Sequence, residues 1–140
     1  MLRVVLDPGV LVSAVLSLSG APARIIDAWR DGEFDLIVSP RLLDELEDVL
    51  LRPRFAQYAT PEQVRVYVDG LALEGVAFDD PGHSPRVTRD PDDDYLFALA
   101  VAAGADLLVS GDKDITSVSD PPCVVLAPRA FFDRLRRARS

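Results

Sequence analysis

The chain holds one cysteine, Cys123, and one histidine, His83, among its 140 residues. A single cysteine forms no internal disulfide. Long apolar runs are missing too: none reaches the roughly 20 residues that a membrane-spanning helix needs, so no membrane partner is expected. The amino terminus passes directly into an apolar strand and leaves no room for a signal peptide. Together these absences set the expectation of a cytoplasmic protein. Positive charge is scarce, with 15 Lys and Arg against 23 Asp and Glu and a net charge of -8. A sequence-blind nucleic-acid coat would carry a basic face, so that class is disfavoured. Nucleases remain compatible with this charge, because Arg129, Arg134, Arg136, Arg137 and Arg139 crowd the carboxyl tail, and a metal would neutralise part of the acidic excess. What the chain has in quantity is apolar side chain, 49% of all residues. That suffices for one globular domain over residues 1–140 with a real core.

Hydrophobic patterning divides the chain into alternating elements. Leu2–Leu6 reads as a buried strand, Val10–Leu16 as the start of a helix, and Pro22 to Gly32 as a second helix. Phe34–Val38 is the second strand. Pro40 opens a helix whose Leu42, Leu43, Leu46, Val49 and Leu50 form an apolar stripe. Thr60-Pro61-Glu62-Gln63 carries the capping-box signature of another helix, which runs to Gly75. Val76–Phe78 is a short strand, and Asp79–Thr88 a loop. Asp94–Ala103 is helical with Gly104 as its carboxyl cap. Asp106–Val109 and Val124–Leu126 are strands, and Pro128 opens the last helix. The alternation predicts a three-layer α/β/α fold with a mainly parallel central sheet of about four to five strands.

Acidic residues recur where these strands run out. Asp7 follows the first strand, Asp106–Val109 runs into Ser110-Gly111-Asp112-Lys113-Asp114, and Arg89-Asp90-Pro91-Asp92-Asp93-Asp94 lies between. A parallel sheet binds ligands at its carboxyl edge. Carboxylates gathered there repel one another unless a cation joins them, and oxygen-only ligands suit Mg²⁺ or Mn²⁺. Taken singly, each acid also has a plain structural reading. Asp7 suits a turn, Glu45 a solvated helix face, and Asp90–Asp94 a capped helix start.

The order and spacing of several short segments carry more than any one of them. Gly20-Ala21-Pro22, Ser39–Glu45, Leu51-Arg52-Pro53-Arg54-Phe55, Arg89–Asp93, Gly104–Asp112 and Pro128-Arg129-x-Phe131 together resemble the PIN-domain ribonucleases. More narrowly, they resemble the VapC-like toxin components of bacterial toxin–antitoxin pairs, over nearly the whole chain. By position, the resemblance implies a metal-binding and catalytic quartet of Asp7, Glu45, Asp93 and Asp112, with Asp114 as a further or substitute metal ligand. Counting back from Ala100 and Gly104 favours Asp93 over Asp90, Asp92 and Asp94. Ser110 stands where the family usually has threonine, and Ser39 is a second supporting hydroxyl. Arg52 and Arg54 are candidate RNA contacts. The implied activity is Mg²⁺- or Mn²⁺-dependent cleavage of RNA, and the implied partners are a cognate antitoxin protein and a second copy of the chain. The set Val64, Val66, Tyr67, Val68 and Leu71 is a candidate self-association surface.

One departure from the family gives a second reading. The first strand of family members ends in Asp-Thr-Asn, whereas here it ends Asp7-Pro8-Gly9. Pro8 lacks a backbone donor and Gly9 relaxes the turn. This is the expectation of a weakened or inactive PIN scaffold kept as a binding module. Haloacid-dehalogenase-type phosphatases need a second Asp where Gly9 stands, and receiver domains need an acceptor Asp where the second strand ends in Ser39, so both fit poorly.

Overall fold

Arg3–Leu6, apolar and rich in valine, forms strand β1 of a computed structural model that describes residues 1–139. It is followed by helices α1 (Pro8–Leu16) and α2 (Ala21–Arg30), strand β2 (Asp35–Val38), helices α3 (Pro40–Leu50) and α4 (Pro61–Glu74) and strand β3 (Val76–Ala77). Helix α5 (Asp94–Ala102), strand β4 (Leu107–Val109), the short helix α6 (Lys113–Thr116), strand β5 (Val125–Leu126) and helix α7 (Pro128–Arg139) complete the order. Prolines stand in the opening turn of many of these helices, where the missing N–H has no helical partner to lose. The Thr60–Gln63 capping box forms in both directions. Gly104 closes α5 with φ of 64°, a left-handed conformation that costs glycine little.

All five strands are parallel, in the order β3-β2-β1-β4-β5. Val4, Val5 and Leu6 are each fully buried, although successive strand residues face opposite sides of a sheet. Both faces are therefore covered, and the fold has three layers. The core joins strand residues such as Leu36, Ile37, Leu107 and Leu108 to Leu11, Ile25, Leu42, Leu46, Leu99 and Phe131. Phe131 meets Phe34 edge to face at 5.3 Å. The chain leaves β1 towards β2 and β3, then returns across the sheet to β4 and β5. This makes a topological switch point where β1 and β4 end side by side, the place where sheets of this kind take their ligands.

Several expectations shift. Helix α1 begins at Pro8 rather than Val10, because Asp7 caps it and Pro8 occupies its first position. A 3₁₀ turn at Pro53–Phe55, another at Pro91–Asp93 and the short α6 were not anticipated. Of the candidate self-association set, Val64, Val68 and Leu71 belong to the core, and the Tyr67 hydroxyl donates to the Leu11 carbonyl at 2.9 Å. Val66 alone of the five is exposed, at 68%. No single helix among the described residues is long and apolar enough to cross a membrane.

Candidate active site at the switch point

Asp7 emerges from β1 directly beside the end of β4, and its amide donates to the Val109 carbonyl at 2.9 Å. One carboxylate oxygen, Oδ1, accepts the Gly9 amide at 2.8 Å. The other, Oδ2, accepts the Ser110 hydroxyl at 2.6 Å. Pro8 and Gly9 therefore leave the first acid well held. Proline stands where a helix needs no donor, and glycine supplies the amide that fixes the carboxylate. Burial raises the Asp7 carboxyl above its usual range, the bonds from Ser110 and Gly9 pull it back, and the charge of Asp112 raises it.

Ser110 is the pivot of this corner. It is fully buried, and while its hydroxyl donates to Asp7 it accepts the Asp112 amide at 3.0 Å. Asp112 caps α6, its Oδ1 accepting the Asp114 amide at 2.9 Å. Asp114 thus enters the arrangement through its backbone, while its side chain stands exposed on α6. Ser39, buried at the end of β2, accepts the Leu42 amide at 3.3 Å and caps α3. Its hydroxyl fixes the start of the helix that carries Glu45.

Glu45 lies half-buried on α3, where its Oε2 accepts the Tyr95 hydroxyl at 3.1 Å. Burial raises its carboxyl, the Tyr95 bond lowers it, Asp7 raises it, Arg41 lowers it and Asp92 raises it. Asp93 begins α5 without spending its side chain on the helix cap. Its carboxyl is pushed up to about 7, first by burial and then by the charges of Asp112, Asp7, Asp90 and Glu45. Asp7, Glu45, Asp93 and Asp112 therefore lie within electrostatic reach of one another.

The neighbouring acids have other duties. Asp90 accepts the Asp92 amide at 2.9 Å and caps the 3₁₀ turn. Asp94 is buried, and its Oδ1 accepts the amides of Val87 and Thr88 and the Thr88 hydroxyl, while Oδ2 lies 3.2 Å from Arg86 Nε. Burial would raise the Asp94 carboxyl, but the Thr88 and Val87 bonds and the Arg86 charge outweigh it and hold it low. Asp94 anchors the loop to α5, while Asp93 feels the charges of Asp112, Asp7 and Glu45, and Asp92 reaches Glu45 from the same run.

The donor set is all oxygen, and its mutual repulsion is what a divalent cation relieves, so by chemistry these residues fit Mg²⁺ or Mn²⁺. Among the described residues no three acids form a ready-made cage.

The arginines divide differently from expectation. Arg52 and Arg54 are exposed past the carboxyl end of α3, and the Arg54 guanidinium carbon lies 4.7 Å from the centroid of the Phe55 ring. In the tail, Arg139 forks onto Glu33 with two contacts of 2.7 Å. The cation that acts on the cluster is Arg41, and with Tyr95 it escaped sequence reading. The available signal was weak: an arginine in the first turn of an otherwise acidic helix and a tyrosine two residues after Asp93.

A family model described as "PIN domain" matches residues 3–114. An uncharacterized protein of Methanocaldococcus jannaschii is 29% identical over 120 residues, covering 85% of this chain and 76% of the relative. Among solved structures, VapBC2 from Rickettsia felis bound to a DNA fragment from their promoter superposes with a TM-score of 0.61 at 13% identity, covering 90% of this chain and 98% of that one. PAE2754 from Pyrobaculum aerophilum superposes with a TM-score of 0.65 at 12% identity, covering 97% of this chain and 90% of that one.

Proposed function

This chain belongs to the PIN-domain family, and from that premise we propose that it is a metal-dependent endoribonuclease, the toxin component of a toxin–antitoxin pair, acting as a single domain in the cytoplasm. The observation that carries the reading is the cluster itself. Asp7, Glu45, Asp93 and Asp112 come from four separate segments of the chain, and burial and mutual charge raise Asp93 to about 7 at the switch point.

Asp7, Glu45, Asp93 and Asp112 would hold one or two Mg²⁺ or Mn²⁺ ions, with Asp114 in reserve. A bound ion supplies Lewis acidity, lowering the pKa of water for attack and neutralising charge at the phosphodiester. The rest falls to the chain. Ser110 and Gly9 orient the two oxygens of Asp7, Tyr95 fixes one oxygen of Glu45, and the Ser39 cap fixes the helix beneath it. Asp93 carries a proton for part of the time near neutral pH and must give it up on binding a cation, so loading the site releases protons.

A cognate antitoxin and a second copy of the chain are the proposed protein partners. The Rickettsia felis neighbour is an assembly of toxin and antitoxin type on promoter DNA, which supports the first. The second reading, a binding module without activity, rests on Pro8-Gly9 in place of Thr-Asn. Incubating the protein with single-stranded RNA in Mn²⁺ and in EDTA separates the two. Cleavage in Mn²⁺ that EDTA and Asp93→Asn both abolish supports the enzyme. Tight Mn²⁺ binding with intact RNA supports the module.

A further inference from the structure

An acidic cluster that cuts RNA needs a cation for the polyanion, and Arg52 and Arg54 lie beyond the far end of α3. Arg41 lies nearer. It is the second residue of α3, it is exposed, and its guanidinium carbon sits 4.1 Å from the centroid of the Tyr95 ring. Its backbone amide donates to Asp80 Oδ2 at 2.9 Å, which fixes the turn that presents the side chain. Its charge reaches Glu45. Among the described residues no carboxylate forms an ion pair with it, so its N–H donors are available to a ligand. Tyr95 is 2% exposed, too buried to stack on a base. It serves instead as a platform, with Arg41 over its face and Glu45 bonded to its hydroxyl.

We propose that Arg41, seated on the Tyr95 ring, receives a backbone phosphate of the RNA at the rim of the acidic cluster, and that Tyr95 is the positioning residue tying this contact to Glu45. The proposal rests on the ribonuclease reading. A planar guanidinium held over a ring can make two-pronged contact with phosphate, which a lysine cannot reproduce. Contact with phosphate and not with bases gives affinity without sequence choice.

The test uses a labelled single-stranded oligoribonucleotide and the full chain carrying Asp93→Asn to prevent cleavage. Fluorescence anisotropy across a salt series gives the Kd and its salt slope. Adding Arg41→Ala should raise Kd about tenfold and reduce the slope by about 0.7, the share of one phosphate on a single strand. Arg41→Lys should keep the slope while recovering only part of the affinity. Tyr95→Phe, in the otherwise unaltered chain, keeps the ring but frees Glu45. It should weaken Mn²⁺ binding about tenfold, read without RNA from the electron paramagnetic resonance signal of free Mn²⁺. A merely structural stack would shift melting temperature and leave the salt slope alone. An unchanged Kd and slope for Arg41→Ala, in a protein whose parent cuts RNA, overturns the phosphate assignment and leaves the ribonuclease reading standing. Unchanged Mn²⁺ affinity for Tyr95→Phe overturns the positioning role. A parent that neither binds nor cuts RNA overturns the inference together with the reading beneath it.

Discussion

Replacing Asp93 with asparagine should make the metal-free protein more stable at neutral pH while removing its response to Mn²⁺. Burial and four neighbouring acids move the Asp93 carboxyl from 3.8 to about 7. Between those values the folded chain holds a proton that the unfolded chain has lost. Stability therefore falls as pH rises through this window, and the penalty is complete above about 7. A displacement of that size corresponds to about 4 kcal/mol before screening. Around a partly exposed group, solvent reduces it to on the order of 1–2 kcal/mol. Asparagine carries no charge and avoids the penalty. In EDTA at pH 7.5, Asp93→Asn should melt about 4–8 °C above the parent, and the gap should close towards pH 4. Mn²⁺ should raise the melting temperature of the parent, as a ligand of the folded state does, and leave the variant nearly unmoved. Calorimetry or thermal fluorescence over a pH series measures both. A variant less stable than its parent in EDTA at pH 7.5, or one that Mn²⁺ stabilises equally, would refute the reasoning.

Asp94→Ala should cost on the order of 2–4 kcal/mol, because it strips the Val87 and Thr88 donors of their buried acceptor. Urea unfolding measures this, and Mn²⁺ affinity of the folded variant should be unchanged. Because the Asp94 carboxyl is held low, its contribution is present above about 4 and fades as pH falls further, the opposite sign to Asp93. Ser110→Ala removes the bonds to Asp7 and Asp112 together. It should cost about 1–3 kcal/mol and move the pH profile of cleavage upward, since Asp7 loses a bond that lowers its carboxyl. Gly9→Ala should be tolerated, because a Cβ there meets nothing nearer than Asp7 Oδ1 at 3.5 Å. Denaturant titration should show a gain of about 0.5–1 kcal/mol from the stiffer helix start; a loss would show that the first turn of α1 needs glycine.

Local chemistry made most of the fold legible. Pro40, Thr60-Pro61 and Pro128 mark helix starts because caps and first turns are written within a few residues. The same locality hid α1's true beginning. Pro8 and Gly9 read as a loosened turn until Asp7 was seen to cap the helix from the strand end. The acids at strand ends were legible because a parallel sheet turns sequence position into spatial position. The Tyr95–Glu45 bond spans 50 residues and was not, since no local pattern encodes which helix face meets which. The α4 set failed for a related reason. Apolar residues beyond an apparent core requirement cannot be counted until packing shows that Val64, Val68 and Leu71 are the core.

The strand order also sets when the acidic cluster comes into being. Asp7 is made early, yet the hydroxyl that holds its Oδ2 belongs to Ser110, just after the strand that pairs beside β1. A chain growing on the ribosome has β1, β2 and β3 before it has β4. Until β4 pairs with β1, the switch point is an open edge with neither Ser110 nor Asp112 in place. Under the proposed ribonuclease activity, a nascent chain that lacks β4 therefore sits beside its own message without a complete cluster.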